Sequence, residues 1–415
     1  VSVEEKQPAL ASSSRFRRRL ARLFIAGMFW LNMLFFIHTR EGIKRGYPDF
    51  TVFYTAGTIL REGLGRQLYD SQLQYEVQQR FAGHIAFRHG PLPYIHPPFE
   101  AAIFVPLTRL PYPQAFAAWD LLNVVALLGV GLLLRRSVGA LDSIPPWKFA
   151  LGSIAFFPVF ACLLQGQDSI LLLLFCTLGF NALKKDADVL AGCWFGLGVF
   201  KFQFIVPIIL LFIIWKRRRV ALGFGAVAIT LVLASIGLVG KSTLLHYPEY
   251  VREIVSATRL GAVPSDLLPN LHGLALGWPK PFSGALGIAL AAVSSLLLFA
   301  FAAVKGCAPA RPGKLELQFS LAIAVSGLIG WQTNSHDLSL LVLPLVLIAD
   351  YSLRTKKENM VQNSTLLLPV LPLLISPLWL VLWFVIGKVN LIAVPMLWWA
   401  WKIGGELSRT SDFDL

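Results

Sequence analysis

A few ionisable and amide side chains interrupt an otherwise apolar chain, and their types suggest proton transfer and anion binding. Asp49 ends the stretch Arg40-Glu41-Gly42-Ile43-Lys44-Arg45-Gly46-Tyr47-Pro48-Asp49. Its carboxylate has two readings. It caps a helix that begins at Phe50, because Asp is a preferred N-cap, or it is a general base for a hydroxyl within hydrogen-bond reach. Lys201 stands between two apolar runs with no basic cluster beside it. An ammonium at such a place is costly and marks a functional site by default, with snorkelling at a span end as the competing reading. Gln165, Gln167 and Asp168 lie in the polar step Gln165-Gly166-Gln167-Asp168-Ser169, where they bind hydroxyls or simply satisfy a tight turn. His336 precedes Asp337, itself a candidate N-cap, and His272 lies in the turn Asn270-Leu271-His272-Gly273. Arg45, Arg61 and Arg88 are anion contacts or solvated loop charges.

The elements that must position these residues are membrane spans. The chain has 415 residues, 56% apolar and only 14% charged, against about 25% charged in ordinary soluble domains. Apolar runs recur from residue 20 to residue 402, and a spanning helix needs about 20 such residues. The period-two alternation of a β-barrel is absent, so the expected fold is an all-α polytopic membrane protein. The net charge of +14 reflects Lys and Arg clusters at span ends, as the positive-inside rule requires, and gives no support to nucleic-acid binding. Cys162, Cys176, Cys193 and Cys307 show no metal spacing and read as packing residues.

Taken in order, residues 1–19 are a basic cytoplasmic tail and 20–38 the first span. Residues 39–113 form a large extracytoplasmic loop whose segments 50–60 and 68–81 suit interfacial helices. Segment 99–110 reads as interfacial or re-entrant because it is too short to span. Residues 114–239 hold spans 2–7, with spans 5 and 6 at about 189–200 and 204–215. Residues 240–282 form a second outer loop, 283–403 hold spans 8–12, and 404–415 are a cytoplasmic tail. The total is about 12 spans with both termini inside. Every polar segment without a topogenic role then falls on the outer side, including those that carry Asp49, Gln165 to Ser169, Lys201, His272 and His336.

The order of several short motifs resembles glycosyltransferase family 87, a family of GT-C-class membrane transferases. These motifs are an Asp opening the first outer loop, Leu68-Tyr69-Asp70, and Pro97-Pro98 with Pro106-Leu107 and Leu110-Pro111 before Trp119. Gln165-Gly166-Gln167 and Gly196-Leu197-Gly198 with Lys201 complete the set. Two steps depart from the family pattern: Gln167-Asp168-Ser169 lacks the Asn that ends the family's turn, and Phe202 follows Lys201 where Pro is usual. The resemblance implies a GT-C-type fold in a bacterial inner membrane, with the active site facing the periplasm or exterior. It implies transfer of a sugar, mannose by default, from a polyprenyl-phosphate donor to a hydroxyl of a glycolipid or glycan acceptor, with inversion. Asp49 then becomes the base. Lys201 and His336 become contacts to the donor phosphate or sugar, joined by His272, Gln165, Gln167, Asp168 and Arg45.

Such a reaction needs no cofactor, and no metal is expected. The phosphate loop G-x-x-x-x-G-K-[ST], the H-E-x-x-H metal motif and the G-x-S-x-G nucleophile elbow are all missing from the sequence. Two other classes stay open. A lipid or lipid-linked-sugar flippase would show internal repeats and mid-span charges. A non-catalytic scaffold would tolerate replacement of Asp49.

Overall fold

A computed structural model describes residues 3–44, 49–82, 92–256, 264–279, 284–309, 313–355 and 366–409. Arg45 and Arg88 lie outside the described residues. Among those described there are helices and no strands. In chain order they are α1 (Val3–Lys44), α2 (Phe50–Arg61), α3 (Ser71–Ala82), α4 (Pro98–Phe104), α5 (Tyr112–Arg135), α6 (Pro146–Ile154), α7 (Phe157–Gln165) and α8 (Ser169–Leu183). Next come α9 (Asp188–Leu197), α10 (Phe202–Ile214), α11 (Arg219–Val239), α12 (Lys241–Ser256), α13 (Leu271–Leu276), α14 (Ala285–Gly306), α15 (Lys314–Ile329) and α16 (Val342–Thr355). After a broken segment between Leu368 and Ile386, α17 covers Ala393–Leu407.

Five of these stretches are long and apolar enough to cross a bilayer: Arg19–Gly42, Tyr112–Arg135, Arg219–Val239, Ala285–Gly306 and Asp337–Thr355. Three further pairs pass only together and are bent between their halves. They are Pro146–Ile154 with Phe157–Gln165 (84°), Asp188–Leu197 with Val199–Ile214 (71°), and Leu368–Leu374 with Ser376–Ile386 (66°). Among the described residues, length and composition thus mark five spans, or up to eight with each bent pair counted once, where the hydropathy reading expects about 12. The region read as two spans, 5 and 6, holds one such bent pair. Hydropathy registers the apolar length of a run and is blind to a sharp turn inside it.

Large apolar side chains on these helices, among them Leu121, Leu222, Leu233, Leu296, Leu297 and Val304, point outward. A water-soluble monomer rarely leaves such continuous apolar surface uncovered. Lipid covers it without cost, and the chain is read as a membrane protein on that ground.

Helix α2 starts where the sequence reading puts it, but protein covers it, and every residue from Phe50 to Ile59 is buried. Helix α4 has only seven residues, packs against α2 and α11, and does not span. Helix α9 is drawn tightly onto α11 by glycines. A Cβ on Gly192 would lie 2.0 Å from the Val220 carbonyl oxygen, and one on Gly223 would lie 1.9 Å from that of Val189. Small residues at a contact let two apolar helices approach backbone to backbone. That approach fixes the position of the bend after α9, where Lys201 sits.

Candidate active site

Five segments distant in sequence meet at one end of the bundle. They are the start of α2, the strap 92–97 with α4, the turn between α7 and α8, the bend between α9 and α10, and the segment ahead of α16. Several helix N-termini lie here, and their partial positive charge favours carboxylates. Asp49, Asp168 and Asp337 all occupy such positions.

The α7–α8 turn depends on Gly166, whose φ of +63° lies in the left-handed region. A Cβ there would come within 2.7 Å of Phe50 Cβ, so both the backbone and the available space require glycine. The Gln167 carbonyl accepts from Trp119 Nε1 (3.3 Å) and Asn123 Nδ2 (3.4 Å) of α5. The turn is thus anchored from behind while its side chains face the site.

Asp49 stands at the N-terminus of α2, but its side chain makes no capping hydrogen bond. Its Oδ2 instead accepts from Gln167 Nε2 at 2.8 Å, across 118 residues of sequence. The capping reading therefore gives way to a carboxylate oriented by an amide. The half-buried Asp49 keeps oxygen lone pairs for another donor.

Lys201 is buried and joins two aspartates, with Nζ 2.8 Å from Asp168 Oδ1 and 2.6 Å from Asp337 Oδ1. The snorkelling reading fails because the ammonium is turned inward. Asp337 also accepts from Ser169 Oγ (2.9 Å) and from the Asn334 amide (2.8 Å). His336 Nδ1 lies 2.6 Å from Gln165 Oε1, and its Nε2 lies 3.5 Å from Asp337 Oδ1. Burial holds the His336 imidazole below its usual range. Burial alone would raise the Asp168 carboxyl, but the adjacent Lys201 overrides it and holds the group low.

Two members of the cluster were not singled out by sequence reasoning. His96 Nδ1 lies 2.9 Å from Glu100 Oε2 and 3.9 Å from Asp168 Oδ2. The signal available was an i,i+4 His–Glu pair straddling Pro97-Pro98, with a carboxyl inside an apolar piece. The strap that carries His96 is held firmly. The hydroxyls of Tyr247, Tyr69 and Tyr94 donate to the carbonyls of Ile95, His96 and Pro97, each at 2.9 Å. Gln78 bonds both the amide and the carbonyl of Leu92, and Gln74 accepts from the Tyr94 amide. Tyr69 of the Leu68-Tyr69-Asp70 step therefore supports the site from beneath.

A cleft of about 80 Å³ opens beside the cluster, lined in part by His96, Gln167, Lys201, Gln203, Tyr247 and His336. Of the sequence candidates, Asp49, Gln165, Gln167, Asp168, Lys201 and His336 are brought together here. His272, on α13, makes no hydrogen bond or ion pair with them among the described residues. Arg61 donates to the Thr108 carbonyl.

The arrangement offers one oriented carboxylate, a lysine with one N–H left over after its two aspartates, and amide and imidazole donors around a cleft. These suit abstraction of a hydroxyl proton beside an anionic group. Residues 94–344 match the family model Glycosyltransferase family 87. No curated protein and no solved structure matches the chain.

Proposed function

The chain belongs to glycosyltransferase family 87, and from that premise we propose that it moves a sugar, mannose by default, from a polyprenyl-phosphate donor to a hydroxyl of a glycolipid or glycan. The observation that carries this reading is Asp49, freed from helix capping and oriented by Gln167 at the edge of the buried cluster. The acceptor oxygen attacks the anomeric carbon while Asp49 takes its proton. The bond from that carbon to the phosphate oxygen breaks, and polyprenyl phosphate leaves with the electron pair. A single displacement of this kind inverts the anomeric centre. The leaving phosphate needs charge stabilisation rather than a proton. The remaining N–H of Lys201 supplies it, with His336 beside it across the shared Asp337 carboxylate. Gln165, Gln167 and Asp168 orient the sugar and its neighbours. The reading places the cluster at the extracytoplasmic face of a bacterial inner membrane, with the helix ends rich in Lys and Arg inside.

The cleft as it stands has room for two or three waters, so donor entry requires its rim to open. The test uses purified protein, synthetic polyprenyl-phosphate-mannose and a panel of glycolipid acceptors, with release of polyprenyl phosphate as the readout. Wild type is expected to turn over, and Asp49→Asn to lose at least about 100-fold in kcat. Turnover that survives the substitution would remove Asp49 from the mechanism. Absence of turnover with any lipid-phosphate sugar, together with lipid translocation in vesicles, would replace the transferase with a flippase.

A further inference from the structure

The buried cluster carries an imbalance that the transfer reaction alone does not explain. Asp49, Glu100, Asp168 and Asp337 gather around it, and Lys201 is the one Lys or Arg that ion pairs with any of them among the described residues. Taking charges out of water costs several kcal/mol each unless they are compensated. Admitting an anionic phosphate would add to the deficit.

The deficit concentrates where His96, Glu100 and Asp168 meet. One ligand atom from each lies within 4.8 Å of the others. The edges measured directly are 2.9 Å for His96 Nδ1 to Glu100 Oε2 and 3.9 Å for His96 Nδ1 to Asp168 Oδ2. Ligands about 2.1 Å from one ion are separated by about 3.0–3.4 Å, so the observed edges bracket that spacing. Glu100 is 1% exposed and its Oε1 has no hydrogen-bond partner, and Asp168 Oδ2, also buried, has none. Buried polar atoms are satisfied in the great majority of cases, and here the Glu100 and Asp168 carboxyls face each other, an arrangement that needs a proton or a cation between them. Burial and the facing Asp168 push the Glu100 carboxyl up.

We infer that His96, Glu100 and Asp168 form a binding site for a divalent cation, of the class that accepts one imidazole and two carboxylates. Mn²⁺ and Zn²⁺ belong to that class. The three ligands come from rigid supports: the tyrosine-pinned strap, the first turn of α4 and the glycine turn before α8. Because His96 lines the cleft, an ion here sits at its wall, where it offsets the carboxylates against an incoming phosphate. The sequence reading expects no metal because transfer from a lipid-linked donor need not use one and the chain carries no metal motif; these ligands come from two segments about 70 residues apart, which no motif registers.

The test is read without substrate, so its failure and that of the transferase reading are separate events. Purified full-length protein is stripped with EDTA and titrated with Mn²⁺, free Mn²⁺ being followed by electron paramagnetic resonance. Wild type is expected to take up one equivalent, which Zn²⁺ displaces. Glu100→Gln and His96→Ala are expected to weaken binding at least about tenfold, while His246→Ala, on the exposed side of α12, leaves it unchanged. Electron spin-echo modulation from an imidazole nitrogen is expected in wild type and provides a readout that needs no variant. No uptake by wild type, uptake without nitrogen coupling, or equal affinity in Glu100→Gln would each overturn the site, leaving the pair as a proton-sharing couple.

Discussion

The two ends of α8 and α10 treat charge in opposite ways. At their N-terminal ends, Asp168 and Lys201 are buried in one cluster with Asp337, and the lysine side chain is 5% exposed. Beyond their C-terminal ends, about 20 Å away by helix length, lie Lys184 and Arg217. Arg217 reaches Asp186 and Asp188, while Lys184 and Arg354 both reach Glu316. Those cations are more open, Arg354 being 48% exposed. Both ends show close ion pairs, so distance does not separate them; burial does. A pair in water gains about 0–1 kcal/mol, and leaving one buried charge without its partner costs about 3–5 kcal/mol. The cavity on the basic side, about 690 Å³ and lined by Arg135, Arg136, Lys184 and Lys185, is much the larger of the two clefts. Size and chemistry thus point to different ends of the molecule: at the basic end the buried carboxyls of Glu316 and Asp350 are answered by partly exposed cations, whereas at the smaller cleft Lys201 is buried together with its carboxylates.

That contrast can be broken from either side. The largest effect is expected for Lys201→Met, which strands Asp168 and Asp337 in the interior. Destabilisation of about 3–5 kcal/mol should appear as a lower midpoint in a thermal aggregation assay in detergent. A wild-type midpoint would show that the cluster is wetter than its burial indicates. Gly166→Ala comes next. It forces a left-handed conformation on alanine and drives a Cβ towards Phe50, a strain of about 1–3 kcal/mol. Because the same turn presents Gln167 to Asp49, turnover should fall more steeply than stability, and the two are compared on the same preparations. Arg354→Gln should be the mildest, about 1 kcal/mol with unchanged turnover, because the guanidinium is half exposed and its removal leaves Glu316 with Lys184 and Asp350 with the Ala140 amide. A large loss there would mean that the basic end carries more than topology.

Much of the site was legible because a polar residue at the end of an apolar run is conspicuous. Asp49, Gln165, Gln167, Asp168, Lys201 and His336 all stand out in this way, and the structure brings them together. His96 and Glu100 were not legible. One sits in a proline-rich strap and the other inside an apolar piece, and nothing local tells that both face Asp168. Asp49 and Asp337 each looked like an N-cap, which is the prior for Asp before a helix. What overturned that prior for Asp49 was Gln167, 118 residues away. His272 stood second to His336 as a candidate, and of these two the structure holds His336 among the ionisable groups.

Composition and hydropathy by themselves determined that this is an all-helical membrane chain, and they located its polar breaks, since transfer to lipid is set residue by residue. The order of short motifs was enough to suggest the family. Tertiary structure alone decided where the apolar runs bend, that α2 is enclosed, and which cation answers which carboxylate. Lys201 finds Asp337 across 136 residues because glycine contacts between α9 and α11 fix the bend that carries it. Such pairing depends on how helices pack in three dimensions, a property that no local window of sequence contains.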